Sequence, residues 1–496
     1  MKPIDRELLL NAMRSAAMIF LAIIACRLTK GAFAWFLALL GLHWAMNNQL
    51  GKAVSCYMLF PFFVIMNPMI LPKNTLCALA LRLGPVLMTA GLFLSGGRRP
   101  GRHVLPLGAM AFYLVVAAVS SATGYAPMIS YLKIVNFVIL LTGLWIGLKN
   151  LDRHPDDVMD MRCFMLGIAI VLVFGSALTA LVPSVGYLNM TNMLIRDHPD
   201  MSMEEINFIV ANMQGVRLFA GVTNQSQCLA ILLPCMFAWV TCDMLFIERR
   251  ISMLHLSLIV CTLPLVYMTR SRTSFCATAA SIVLIYFWCL QMVRIRARLK
   301  AAFRTGMAVV LLVGVAYCVY SEIRHDTISR WLRKTEDVSG DQRSLAEAFS
   351  SSRMGLVAES MRDFRRNPLL GKGFQVMEYM QGMSGFRLTA SIEKGVLPAM
   401  ILGETGVVGM IAFVFFLFAF YGGCMQKRLY VTMALFTVMV ACNFGEANFF
   451  SPGGPGGMLW VICVGGGFLI DTLLLHRRRI ERMMRAAPPP PSGAWR

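Results

Sequence analysis

The stretch "SQCLAILLPCMFAWVTCDMLFIERR" runs from Ser226 to Arg250. Its apolar part, 226–247, has the length that crosses a bilayer, about 20 mainly apolar residues. It ends on a compact block of charge, "ERR" at 248–250. Cys228, Cys235 and Cys242 recur every seven residues, so they share one helix face, as small residues do at a contact between membrane helices. This one stretch decides the fold class if the rest of the chain repeats it.

It does. The 496 residues are 57% hydrophobic and only 15% charged, more apolar surface than a soluble chain of this length could hide. Further apolar segments fall near 11–27, 31–47, 53–71, 75–95, 103–121, 129–148, 162–183, 252–269, 273–291, 304–321, 404–424, 428–444 and 457–476. The expected fold is an all-α polytopic membrane protein of about 12–14 transmembrane helices. The N-terminal segment lacks a small-residue cleavage pattern and reads as a retained first span. The net charge of +20 does not point to nucleic acid, because the cations sit in short blocks between apolar runs. The 14 cysteines include no CxxC pair, and the 7 histidines show no ligand spacing, so no metal and no cofactor are expected.

Loop charge sets the orientation. "GGRRPGR" (96–102), "ERR" (248–250), "RIRARLK" (294–300), "QKR" (426–428) and "HRRRIERMMR" (476–485) share one side if the spans alternate. The positive-inside rule makes that side cytosolic, with both termini inside. Residues 1–183 then form N-terminal spans, 184–225 an external loop, 226–321 further spans, 322–403 a larger external loop, 404–476 the last spans and 477–496 a cytosolic tail. Within the larger loop, Met354, Val357, Met361 and Phe364 follow helical spacing and predict an amphipathic helix, stopped at Asn367–Pro368.

Many cations nevertheless lie on the external side, against the topological bias, and a bound anion would explain them. Arg270 and Arg272 sit in the tight external turn "TRSRTS" (269–274), where guanidinium forks can meet phosphate oxygens. Arg217 lies in "QGVRLFAGVTNQSQ" (214–227), and Arg353 and Arg366 bound the amphipathic helix. Interfacial snorkelling is the plainer reading for part of this set. Glu393, beside Lys394, and Glu404, at the expected start of the twelfth span, are candidate general bases or partners of these cations. Arg82 and Lys133 lie within or beside spans, where a charge is a functional hypothesis by default.

Four phrases, in this order, resemble the bacterial O-antigen ligase and O-antigen polymerase family of membrane glycosyltransferases: "RLFAGVTNQSQCLAILLP", "MTRSRTSFCATAASIVL", "SSRMGLVAESMRDFRRNPLLGKGF" and "ETGVVGMIAFVFF". The resemblance covers roughly 210–420. It implies an undecaprenyl-pyrophosphate-linked glycan as donor, a glycan or lipid A–core acceptor, and transfer at the periplasmic face of the bacterial inner membrane. It further implies an inverting, metal-independent reaction and possible association with other polysaccharide-assembly proteins. Arg217 and Arg272 match the family's functional arginine positions. Many ligases carry a histidine before the "ExG" span; "SIEKGVLPAMILGETG" has none, which favours a polymerase-like or exopolysaccharide-type member with Glu393 as the substitute base. The rival class is a transporter or flippase of a lipid-linked sugar or anion, which Arg82 and Lys133 would suit, although no internal repeat is visible.

Overall fold

A computed structural model describes residues 3–71, 74–95, 105–151, 155–186, 219–269, 271–285, 301, 305–306, 345–378 and 395–486. Every regular element among the described residues is helical; the sole pairing of β type is an isolated bridge between Met66 and Thr223. The helices are α1 (Pro3–Leu28), α2 (Ala32–Met46), α3 (Leu50–Ile65), α4 (Thr75–Ser95), α5 (Gly108–Ala122), α6 (Pro127–Leu151) and α7 (Pro155–Ala180). There follow α8 (Ser226–Cys242), prolonged by a π-helical turn over Asp243–Glu248, then α9 (Met253–Met268) and α10 (Arg272–Leu284). The last are α11 (Leu345–Arg366), α12 (Leu397–Lys427), α13 (Tyr430–Asn443) and α14. The last of these starts as Pro455–Leu459, passes through a π-helical stretch Trp460–Gly465 and continues as Gly466–Ala486.

Seven of these helices are long and apolar enough to cross a membrane, and six more are apolar but shorter. The chain is thus a polytopic helical membrane protein. Thirteen of the fourteen apolar segments coincide with described helices; of 304–321 all but 305–306 lie outside the described residues. The amphipathic helix forms as expected and ends at Arg366, just before Asn367–Pro368. One boundary differs. The twelfth segment begins at Leu397 instead of Glu404, because Val396 is extended and Pro398 occupies the first turn, where its missing N–H costs nothing. Glu404 therefore stands inside a helix, not at its mouth.

Contacts between the connections gather at the two ends of the bundle. At one end, Asn74 donates to the Lys30 carbonyl (2.7 Å), and Asn67 N–H to the Val222 carbonyl (2.8 Å). Asn224 N–H donates to Ile65 (2.7 Å), Tyr125 N–H to Lys372 (3.0 Å) and Ala447 N–H to Gly395 (3.2 Å). At the other end Gly51 packs on Asp157, and Gly423 on Pro106.

The core between the ends is aromatic and dense. Phe450 is its hub, with Tyr113 stacked on it at 4.8 Å and the rings of Phe137, Phe374 and Phe413 meeting it edge-on at 5.5, 5.7 and 5.8 Å. Cys235 on α8 meets Cys442 on α13 at 3.8 Å, so the seven-residue cysteine face is a helix contact.

Two buried carboxylates tie the opposite end together. Asp471 on α14 accepts from the N–H groups of Val431 (3.2 Å) and Thr432 (2.8 Å) and from the Thr432 hydroxyl (2.8 Å). It serves as the N-terminal cap that α13 lacks in its own sequence, since Leu429 offers none. Asp471→Ala is expected to destabilise the protein by about 1–2 kcal/mol, the usual cost of a lost cap, read as a lower midpoint in detergent unfolding; an unchanged midpoint would show that α13 needs no such cap. The second carboxylate, Asp243, sits in the π-helical turn. Arg162 grips both its oxygens, Nε to Oδ1 at 2.8 Å and Nη2 to Oδ2 at 2.8 Å, and reaches Glu248 at 2.6 Å. His255 Nε2 lies 2.8 Å from Asp243 Oδ2. Arg162, Asp243 and His255 are all buried.

Candidate functional site at the loop end of the bundle

The site region is built around a break in α12. Gly406 has φ 64 and ψ −162, a conformation open essentially to glycine alone. A break deep in an apolar helix strands backbone donors and acceptors, which must find partners inside the protein. The loop after α11 supplies them. Lys372 N–H donates to the Gly403 carbonyl (2.9 Å) and Gly373 N–H to that of Glu404 (3.0 Å). In return Val407 N–H donates to Pro368 (2.9 Å) and Val408 N–H to Leu369 (3.3 Å). Approach this close needs a glycine in the loop as well. Gly371 has φ +66, and a Cβ there would collide with the Glu404 backbone.

Helices α5 and α6 hold the loop from the other side. The Ser120 hydroxyl lies within hydrogen-bonding reach of the carbonyls of Glu404 (2.6 Å) and Leu370. Ser130 donates to the Phe374 carbonyl (2.9 Å), and the Lys133 ammonium to that of Gln375 (2.7 Å). Lys133 is buried, and its amino group is oriented by the loop backbone.

Above the loop lies a polar network. The Tyr125 hydroxyl donates to Asp363 Oδ1 (2.5 Å), while Arg366 donates to the Tyr125 oxygen (3.3 Å) and to Glu378 Oε1 (2.9 Å). Lys372 Nζ stands 5.8 Å from the centre of the Tyr125 ring. Burial, and then the hydrogen bond to Asp363, pushes the Tyr125 phenol up to about 12, so it stays a proton donor at neutral pH. Asp363 is buried.

Arg272 is the first residue of α10, half-buried, behind a Ser271 cap that accepts from Ser274 N–H (3.3 Å). Its neighbour Thr273 packs against Gly445, next to the buried Glu446, and Ala447 bonds to Gly395 at the head of α12. Gly395 in turn packs on Leu356 and Val357 of α11. The start of α10, the 445–447 turn, the head of α12 and α11 therefore adjoin one another.

The candidate residues divide accordingly. Arg272, Arg366, Lys133 and Glu404 all belong to this end of the bundle. Glu404 is enclosed, 1% exposed, beneath the docked loop, with Tyr113 and Thr405 beside it. Arg353 is on the α11 backbone, but its side chain, like all of Arg217, Arg270, Glu393 and Lys394, lies outside the described residues. Arg82 is half-buried in α4, about 10 Å along the helix from Thr75. Among the described residues no group of His, Cys, Asp and Glu is arranged to hold a metal ion.

Several residues with roles here gave little warning in the sequence. Asp363 and Tyr125 are far apart in the chain and ordinary in their local context. Asp243 did carry a signal, a charge within an otherwise apolar run, but its partners Arg162 and His255 stand on other helices. No protein-family model matches the chain, and no curated protein matches it.

Proposed function

We propose that this protein is a membrane glycosyltransferase of the O-antigen ligase and polymerase type. In this reading it moves an undecaprenyl-pyrophosphate-linked glycan onto a sugar hydroxyl at the periplasmic face of the inner membrane. The observation that carries the reading is the docking of "PLLGKGF" into the break beside "ETG". These are the most specific of the resembling phrases, and they are one hydrogen-bonded unit. Arg272 and the head of α12 lie at the same end, which supports a common site.

The chemistry follows from the charges. As the glycosidic bond to the carrier breaks, negative charge grows on the pyrophosphate. Guanidinium groups already in place there stabilise the transition state more than the ground state. Arg272, with Arg217, Arg270 and Arg353, would supply them. The base that takes the acceptor hydroxyl's proton is assigned to Glu393, since Glu404 is enclosed under the loop. The absence of a histidine from 389–404 favours polymerase over ligase.

Arg272→Ala is expected to insert normally and to lower transfer from a lipid-linked donor by about 10²–10³-fold, the usual loss for one such group. The readout is polymer or capped lipid A–core resolved on a gel from membranes of a complemented deletion strain. Near-normal product would sink the reading. The transporter or flippase alternative draws on one observation, the interrupted α12 with a buried carboxylate beside the break, a feature of transporter binding sites. Retained transfer with lost movement of the lipid-linked sugar across vesicles would favour it.

A further inference from the structure

The loop that closes the break in α12 takes a positive φ at three alternate residues. Gly371 and Gly373, at φ +66 and +106, are glycines, to which such backbone is open. The third is not. Gln375 has φ 53, where a side chain crowds its own backbone. It is buried, and its amide Nε2 has no hydrogen-bond partner among the described residues. Two costs thus fall on one residue, a strained backbone and an unpaired buried donor.

Helix α6 holds it there. Ser130 donates to the carbonyl before Gln375, that of Phe374 (2.9 Å), and Lys133 donates to the Gln375 carbonyl itself (2.7 Å). These donors stand three residues apart, on one face of the helix. Two successive carbonyls therefore face the same helix, which an extended residue between them would not arrange. On either side the chain is anchored by its side chains. Phe374 lies against Phe450 at 5.7 Å, and Val376 packs with Ala126 and Ile129. The strain is confined to the Phe374–Gln375 peptide, and turning that unit over relieves it with both anchors in place. The Ser130 hydroxyl accepts as well as donates, so it can meet the N–H of the turned peptide instead of the carbonyl. The carbonyl bonds on one side and the two costs on the other are of similar size, so losing one bond tips the balance.

We propose that the Phe374–Gln375 peptide is a two-state switch set by α6. With the Lys133 contact made, Gln375 is left-handed. With it broken, the peptide turns over and Gln375 takes a negative φ. The switch follows directly on the segment docked at Gly403 and Glu404, and so joins α6 to the loop that covers that carboxylate. The inference does not rest on the transferase reading.

The test compares glycine with alanine at position 375, because a positive φ favours glycine and a negative φ favours alanine. Full-length Gln375→Gly and Gln375→Ala are unfolded in detergent, each with Lys133 intact and with Lys133→Met. With Lys133 intact, Gln375→Gly should have the higher folded-to-unfolded ratio by about fivefold, the left-handed penalty less the extra freedom of an unfolded glycine. With Lys133→Met the order should invert, and Gln375→Ala should lead by about threefold. A glycine preference of equal size in both backgrounds would overturn the switch and leave a fixed strained residue. An alanine preference with Lys133 intact would overturn it too. Should Lys133→Met fail to fold, hydrogen exchange of the 374–376 amides decides. Gln375→Gly should slow that exchange about fivefold relative to Gln375→Ala, and equal rates would overturn the proposal.

Discussion

Gly406→Ala is expected to destabilise the protein by roughly 3–5 kcal/mol, through a backbone conformation closed to side chains and the docking bonds lost with it. At φ 64 and ψ −162 an L-residue is strained whatever surrounds it. Here it is also obstructed, because a Cβ would run into the Leu369 carbonyl. Relief would require the loop to back away. That would release the amide–carbonyl bonds made by Lys372, Gly373, Val407 and Val408 in a place where water cannot replace them all. Gly422→Ala is the matched control. It lies in the same helix, a Cβ there meets nothing within 4 Å, and alanine is the better helix former. Detergent unfolding of the two variants side by side gives the answer. Equal midpoints would mean that the break in α12 does not depend on glycine and that the loop is not locked by it.

Arg162→Met should cost a similar amount, about 3–5 kcal/mol, for a different reason. The substitution keeps most of the volume but strips the guanidinium from the buried Asp243 and leaves Glu248 with Arg250 alone, at 3.4 Å. Arg162 joins two elements: it stands on α7, and its two carboxylates sit at opposite ends of the π-helical turn that leads from α8 toward α9. Removing it leaves carboxylates in a low-dielectric setting with His255 as the remaining contact of Asp243 at 2.8 Å. The double variant Arg162→Met/Asp243→Leu should recover much of the loss, since an apolar replacement of a buried pair is often neutral or stabilising. The comparison is again a detergent or urea unfolding midpoint. If the double variant were as unstable as the single one, the cluster's contribution would lie in shape and not in charge.

The two predictions divide the molecule. One concerns the end where the candidate site lies, the other the opposite end, and neither set of contacts is local in sequence. Ser120 reaches Glu404 across more than half the chain, and Arg162 reaches Asp243 from a different span. This is why the site was only partly legible beforehand. Arg272 and Arg366 stood out because a cation on the external side of an apolar chain is conspicuous wherever the chain later folds. Lys133 is conspicuous as a charge within an apolar segment, and it donates to a loop carbonyl. Hydropathy alone puts Glu404 at the entrance to a span. Its enclosure follows from a helix that starts at Leu397 and from a loop that closes over it.

What the amino-acid order determined by itself is the bilayer-spanning character and the positions of the helices. Each of these depends on local hydropathy and on charge at segment ends, and every residue contributes regardless of its neighbours in space. The break at Gly406, the loop seated in it, the Tyr125–Asp363–Arg366 network and the Arg162–Asp243 cluster were decided only by tertiary structure. Each requires a backbone or side-chain group to meet a partner from a distant helix, and burial makes those meetings obligatory because a polar group left alone in the apolar interior would be costly.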